Sequence, residues 1–204
     1  MERTPILPFE RFTWLLLGLV TCIIFTPIMV RWTSIEPSDY VFHNDLAEQV
    51  FAAPAEFFAN TPHFLYHVLV ALPYSLSDAI SVDAAAAFVM VIFYGLFLAA
   101  IYAYLRAYGS TMLHTRRGLL TLATLVLGLL LLAPLNFFTP ETLYFGYYTP
   151  HVYHNPTVNI MKPFAVVLFA FCGLLFYRKE RLAWPWLCGY ALLTMGSIFA
   201  KPSF

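Results

Sequence analysis

Asp39 and His43 stand four residues apart in "SDYVFH", a spacing that sets both side chains on one face of a helix. A carboxylate with an imidazole beside it can serve as a general base or as a metal ligand with a histidine helper. The same pair also fits an acidic first helical turn, favoured by the helix dipole, followed by a solvated histidine. His63 and His67 repeat the spacing, and His151 and His154 form another pair. Zinc or another divalent transition-metal cation could bind such histidines. No spaced cysteines accompany them, however, and histidines also serve as headgroup-level residues at a membrane interface, so spacing alone assigns no metal ligand. Further on, "YYTPHVYHNPTVNIMKPF", residues 147–164, packs His154, Asn155, Lys162 and three prolines between two apolar runs. A backbone stiffened by proline holds polar groups ready at little entropic cost, which suits recognition of a polar headgroup. An aromatic-belt loop anchored by Tyr147, Tyr148 and Tyr153 fits the composition equally well.

The elements that must carry these residues are set by hydrophobicity. Of the 204 residues, 61% are hydrophobic and 11% charged, outside the range of soluble domains, so an all-α integral membrane protein is expected. Eleven basic and eleven acidic residues cancel, which makes nucleic acid an unsuitable partner and leaves the information in where the charges lie. Cys22, Cys172 and Cys188 all fall in apolar runs, where they pack as small hydrophobes and form no disulfide framework. Apolar runs predict spans at about 12–32, 84–106, 117–135, 159–177 and 182–200, the first of them uncleaved.

The segment 61–76, "TPHFLYHVLVALPYSL", is shorter and carries His63, His67 and Pro73. If it lies in the interface, Arg3, Arg11, Arg106, Arg116, Arg117, Arg178, Lys179 and Arg181 share one side, against Arg31, Lys162 and Lys201 on the other. That split obeys the positive-inside rule, with the N-terminus cytoplasmic; a crossing at 61–76 would turn the later basic clusters outward. The outer face then gathers most of the acids and five histidines. Arg31, Lys162 and Lys201 at outer headgroup level could hold a lipid phosphate or simply snorkel. The outer loop 33–83 is too long for a plain connector and is expected to hold two interfacial amphipathic helices. The first of these starts at Ser38 as N-cap and turns Val41, Phe42, Leu46, Val50 and Phe51 to one side. No histidine falls within a span, which argues against an axially ligated haem.

Taken together, the acidic "SDYVFH" helix after the first span, the "TPHFLYHVLVAL" surface helix, "SVDAAAAFVM" and the later "YHNPT...KPF" loop resemble the GT-C superfamily. These are polytopic lipid-linked glycosyltransferases that use polyprenyl-phosphate sugars. The resemblance implies a GT-C-like fold, with the catalytic aspartate in the first outer loop, and Asp39 matches that residue. It implies that Asp39 is the general base, or holds an activating divalent cation, with His43 beside it. His154, Asn155 and Lys162 would bind donor phosphate or sugar, and Lys201 is a further candidate. Sugar transfer to a lipid, protein or glycan acceptor at the outer face of a bacterial plasma (inner) membrane is the implied activity. Family members commonly have seven or more spans, and about five match their N-terminal membrane half. A truncated or inactive relative, serving as a non-catalytic structural or accessory subunit of a larger bacterial membrane complex, is the alternative function.

Overall fold

The computed structural model of the chain describes residues 8–34, 39–108, 115–131, 155–177 and 184–201. Among them every regular element is an α-helix: α1 Pro8–Trp32, α2 Asp39–Ala52, α3 Pro54–Asn60, α4 Leu65–Ser75, α5 Val82–Tyr108, α6 Arg116–Leu131, α7 Pro156–Tyr177 and α8 Trp184–Ala200. Each of the five expected spans overlaps a helix, although residues 132–135 and 182–183 lie outside the described residues. Two segments, Val82–Arg106 in α5 and Pro156–Gly173 in α7, are long and apolar enough to cross a membrane.

Helix α5 is the centre of the packing, with α1, α2, α4, α6 and α7 all against it. Its first turns explain why so many elements can approach: Ala85, Ala86 and Ala87 are all buried, and alanine combines high helix propensity with a side chain small enough for close backbone contact. Further along, Met90, Tyr94, Leu98 and Tyr102 continue the buried stripe at helical spacing. Tyr94 stacks on Phe25 of α1 with ring centroids 4.8 Å apart. On the other side α7 packs against α5 and α8. Gly196 permits the close α7–α8 approach, since a Cβ there would lie 2.8 Å from the Phe164 ring. The faces turned away from this core carry large apolar side chains, among them Leu15, Leu19, Ile23, Phe169, Leu192 and Ile198. Cys22, Cys172 and Cys188 are free.

Residues 39–75 depart from the expected pair of helices, because they fold as three. Pro54 opens α3 at a position where its missing N–H costs nothing. Helix α4 has 11 residues, which at 1.5 Å per residue gives about 16 Å, too short to cross some 30 Å of hydrocarbon. His63 lies before its N-cap residue Phe64, so His63 and His67 do not share one helix as their spacing predicted. The apolar stripe expected on α2 is also revised. Phe42 and Phe51 are 63% and 56% exposed, whereas Tyr40, His43, Asn44, Ala47 and Val50 form the buried face. That face is mostly polar because each of its polar groups finds a partner on a neighbouring helix, and paired polar groups can be buried at modest cost. The expected Ser38 cap lies outside the described residues.

Candidate functional site

The polar residues of α2 meet groups from four other helices. Asn44 is buried at the centre: its Oδ1 accepts from the Tyr66 hydroxyl of α4 at 2.9 Å, and its Nδ2 donates to Asp83 Oδ1 of α5 at 2.8 Å. The same amide lies 3.4 Å from the Thr33 carbonyl just beyond α1. One side chain thus joins α1, α2, α4 and α5. Burial, then Tyr40 and Asp83, push the Tyr66 phenol well above its ordinary range, so it stays a hydroxyl donor to Asn44.

Asp39 and Tyr40 face α7. Asn155 caps that helix, its Oδ1 accepting from the Thr157 and Val158 amides at 3.0 and 3.2 Å and from the Thr157 hydroxyl at 2.6 Å. Pro156 follows as the first helical residue, so the "NP" dipeptide is a helix start and not only a turn. The other end of the Asn155 amide donates to Asp39 Oδ2 at 3.2 Å, across 116 residues of sequence. One turn on, Asn159 Nδ2 donates to the Tyr40 hydroxyl at 3.2 Å, and its Oδ1 accepts from Lys162 Nζ at 2.6 Å. Lys162 is half-buried, with its ammonium directed by Asn159. His154 lies outside the described residues.

His43 is 6% exposed, which excludes the solvated histidine suggested by its spacing. Its Nδ1 is 2.9 Å from His67 Nε2, so one ring donates and the other accepts. The His63 ring is close to both, with centroids 6.0 Å from His43 and 6.2 Å from His67. Burial first, then His63, lower His43 to about 4; Asp39 opposes this and Lys201 adds to it. Burial, then His43 and His63, bring His67 to about 3, partly offset by the backbone of His63 and Phe64. His63 is also lowered, by burial and then by Lys201. Lys201, just past α8, therefore acts electrostatically on the histidines.

Of the residues singled out from sequence, Asp39, His43, Asn155, Lys162 and Lys201 are drawn towards one region through direct bonds, Asn159 or charge. Asn44, Tyr40, Tyr66 and Asn159 were not anticipated. An open apolar groove of about 300 Å³ lies between α4 and α5, lined by Leu69, Leu72, Pro73, Leu76, Phe88 and Ile92, among others. Among the described residues no group of three or more His, Cys, Asp or Glu is already closed to metal-binding geometry.

The paired histidines give the fold an acid limit. Both have folded values below the unfolded 6.5, so at mildly acidic pH the unfolded chain binds more protons than the folded one. Their contribution is complete above about pH 6.5 and is lost as pH falls towards 4. Thermal melting in detergent should register roughly 1–2 kcal/mol lost per histidine between pH 7 and pH 5. His43→Gln should flatten that slope, and an equal slope in the variant would refute the assignment.

Comparison with protein-family models, curated proteins and solved structures finds no match for the chain.

Proposed function

We propose that the chain is a GT-C-type membrane glycosyltransferase that transfers a sugar from a polyprenyl-phosphate donor at the outer membrane face. One observation carries the reading: the bond between Asp39 and Asn155 joins the acidic motif after α1 to the Asn-Pro motif that starts α7. In this reading Asp39 takes the proton of an acceptor hydroxyl as its oxygen attacks the anomeric carbon. The bond from that carbon to the donor phosphate oxygen breaks, and polyprenyl phosphate leaves with the electron pair. Lys162, with Lys201 and His154, offers positive charge or hydrogen bonds to the phosphate or sugar. Asn155 orients the Asp39 carboxylate, and neutral His43 sets the second wall of the site. The apolar groove between α4 and α5 suits the first isoprene units of the donor. The cytoplasmic N-terminus of this reading rests on the lysine and arginine bias, its multi-pass topology on the apolar runs, and its bacterial inner-membrane location on the family resemblance.

Purified chain in lipid vesicles, supplied with a panel of labelled polyprenyl-phosphate sugars and hydroxyl acceptors, should release polyprenyl phosphate and label an acceptor with at least one donor. If no donor is consumed and the chain co-purifies stoichiometrically with other membrane proteins, the transferase reading fails and the accessory-subunit reading takes its place.

A further inference from the structure

Three imidazoles from separate parts of the fold converge, His43 from α2, His63 from the α3–α4 junction and His67 from α4, and the sugar-transfer reading uses only the first of them. Their centroids lie 5.0, 6.0 and 6.2 Å apart. Nitrogens at about 2.0–2.1 Å from one tetrahedral ion put ring centroids at about 5 Å from one another, so the pair His43–His67 already has the right separation and His63 is about 1 Å too far. We propose that His43, His63 and His67 form a site for a late first-row divalent cation of the zinc class, with three imidazole ligands and a fourth position for water. The inference does not depend on sugar transfer.

Two features beyond proximity favour it. The first is His67 Nδ1, buried in a fully buried residue and without a hydrogen-bond partner that meets standard geometry. Nδ1 can carry the ring proton, which leaves His67 Nε2, the nitrogen that faces His43, as the ligand. The second is that His43 and His67 are both buried, so packing holds their rings in place before any ion arrives. His43 Nδ1 and His67 Nε2, now in hydrogen-bond contact at 2.9 Å, must part by a few tenths of an ångström to bind a common ion, and the proton between them must move to another ring nitrogen. His63 precedes the α4 helix and is only partly buried, so its ring can swing inward. The charges felt at the site oppose one another: Asp39 attracts a cation and Lys201 repels it.

The test uses the full chain in detergent, stripped with chelator and then equilibrated with Zn²⁺ or Co²⁺. The expected result is about one equivalent of zinc retained through gel filtration and, with cobalt, the intense visible absorption of a tetrahedral site. His63→Ala should weaken binding by more than about tenfold, since even loss of an outer-shell partner costs that much. His63→Gln serves if the alanine variant is poorly folded. Lys201→Gln should tighten binding by removing the repelling charge. Retention of well under one equivalent, or affinity unchanged in both His63 variants, would overturn the proposal. Neither result bears on the sugar-transfer assay, which requires no zinc in its derivation.

Discussion

Under the proposed sugar transfer, Asp39→Asn should cut the rate by about 10²–10⁴-fold, the usual contribution of a positioned acid or base, while the protein melts close to the unchanged temperature. The variant is a clean probe because of what Asp39 touches. Its Oδ2 accepts a hydrogen bond from Asn155 Nδ2 at 3.2 Å, and the amide oxygen of asparagine can accept the same bond. The shape and the tie to α7 survive, while the negative charge and the capacity to take a proton are lost. The fall should appear in kcat, with KM nearly constant, because the carboxylate acts on the acceptor proton in the transition state and binds the donor little in the ground state. Initial rates across a range of donor concentrations would measure it. Unchanged kcat would remove Asp39 as the base even if transfer itself is observed.

The largest effect on stability is expected at Asn44. Asn44→Leu should cost about 2–4 kcal/mol, because it strands the buried Tyr66 hydroxyl and the half-buried Asp83 carboxylate at once. The Tyr66 hydroxyl, in a fully buried residue, loses its acceptor, and Asp83 loses the amide that donates to it at 2.8 Å. A leucine of similar volume fills the space and supplies neither. Against a total stability of about 5–15 kcal/mol this is a large fraction. Adding Tyr66→Phe removes one stranded group and should return about 1 kcal/mol, so the double variant should be more stable than Asn44→Leu alone. Thermal or denaturant unfolding of the three variants checks it; equal stability of Asn44→Leu and the unchanged chain would mean that the Asn44 junction does not hold the helices together.

The long helices were legible in the sequence because hydrocarbon content is a local property. Uninterrupted apolar runs predicted α5 and α7 nearly to their ends. The helical spacing of Asp39 and His43 was likewise enough to put them on one helix. What sequence reading missed on α2 was its buried face. Apolar Phe42 and Phe51 were given the inward side, yet burial followed the polar residues, since Tyr40, His43 and Asn44 each have a hydrogen-bonding partner on another helix. The signal was present in principle: Tyr40, His43, Asn44 and Ala47 also recur at three and four residues. Choosing between two interleaved stripes requires knowing which partners lie opposite, and those are 22 to 119 residues away. The same limit hid the influence of Lys201 on His43, and the Asn159 bridge between Tyr40 and Lys162. His63 was misjudged for a local reason: Pro62 and the irregular residues around it delay the helix until Leu65.

The account rests on the segment bearing Asp39 and the start of α7 meeting at one membrane face, with α4 not crossing between them. Membrane-impermeant maleimide applied to intact, right-side-out vesicles tests this most directly, using single cysteines at Asp45, His154 and Arg117 in a chain whose native cysteines are replaced by alanine. The account predicts that the cysteines at positions 45 and 154 react together from outside while that at 117 reacts only after the vesicles are opened. Reaction of positions 45 and 154 from opposite faces would contradict it.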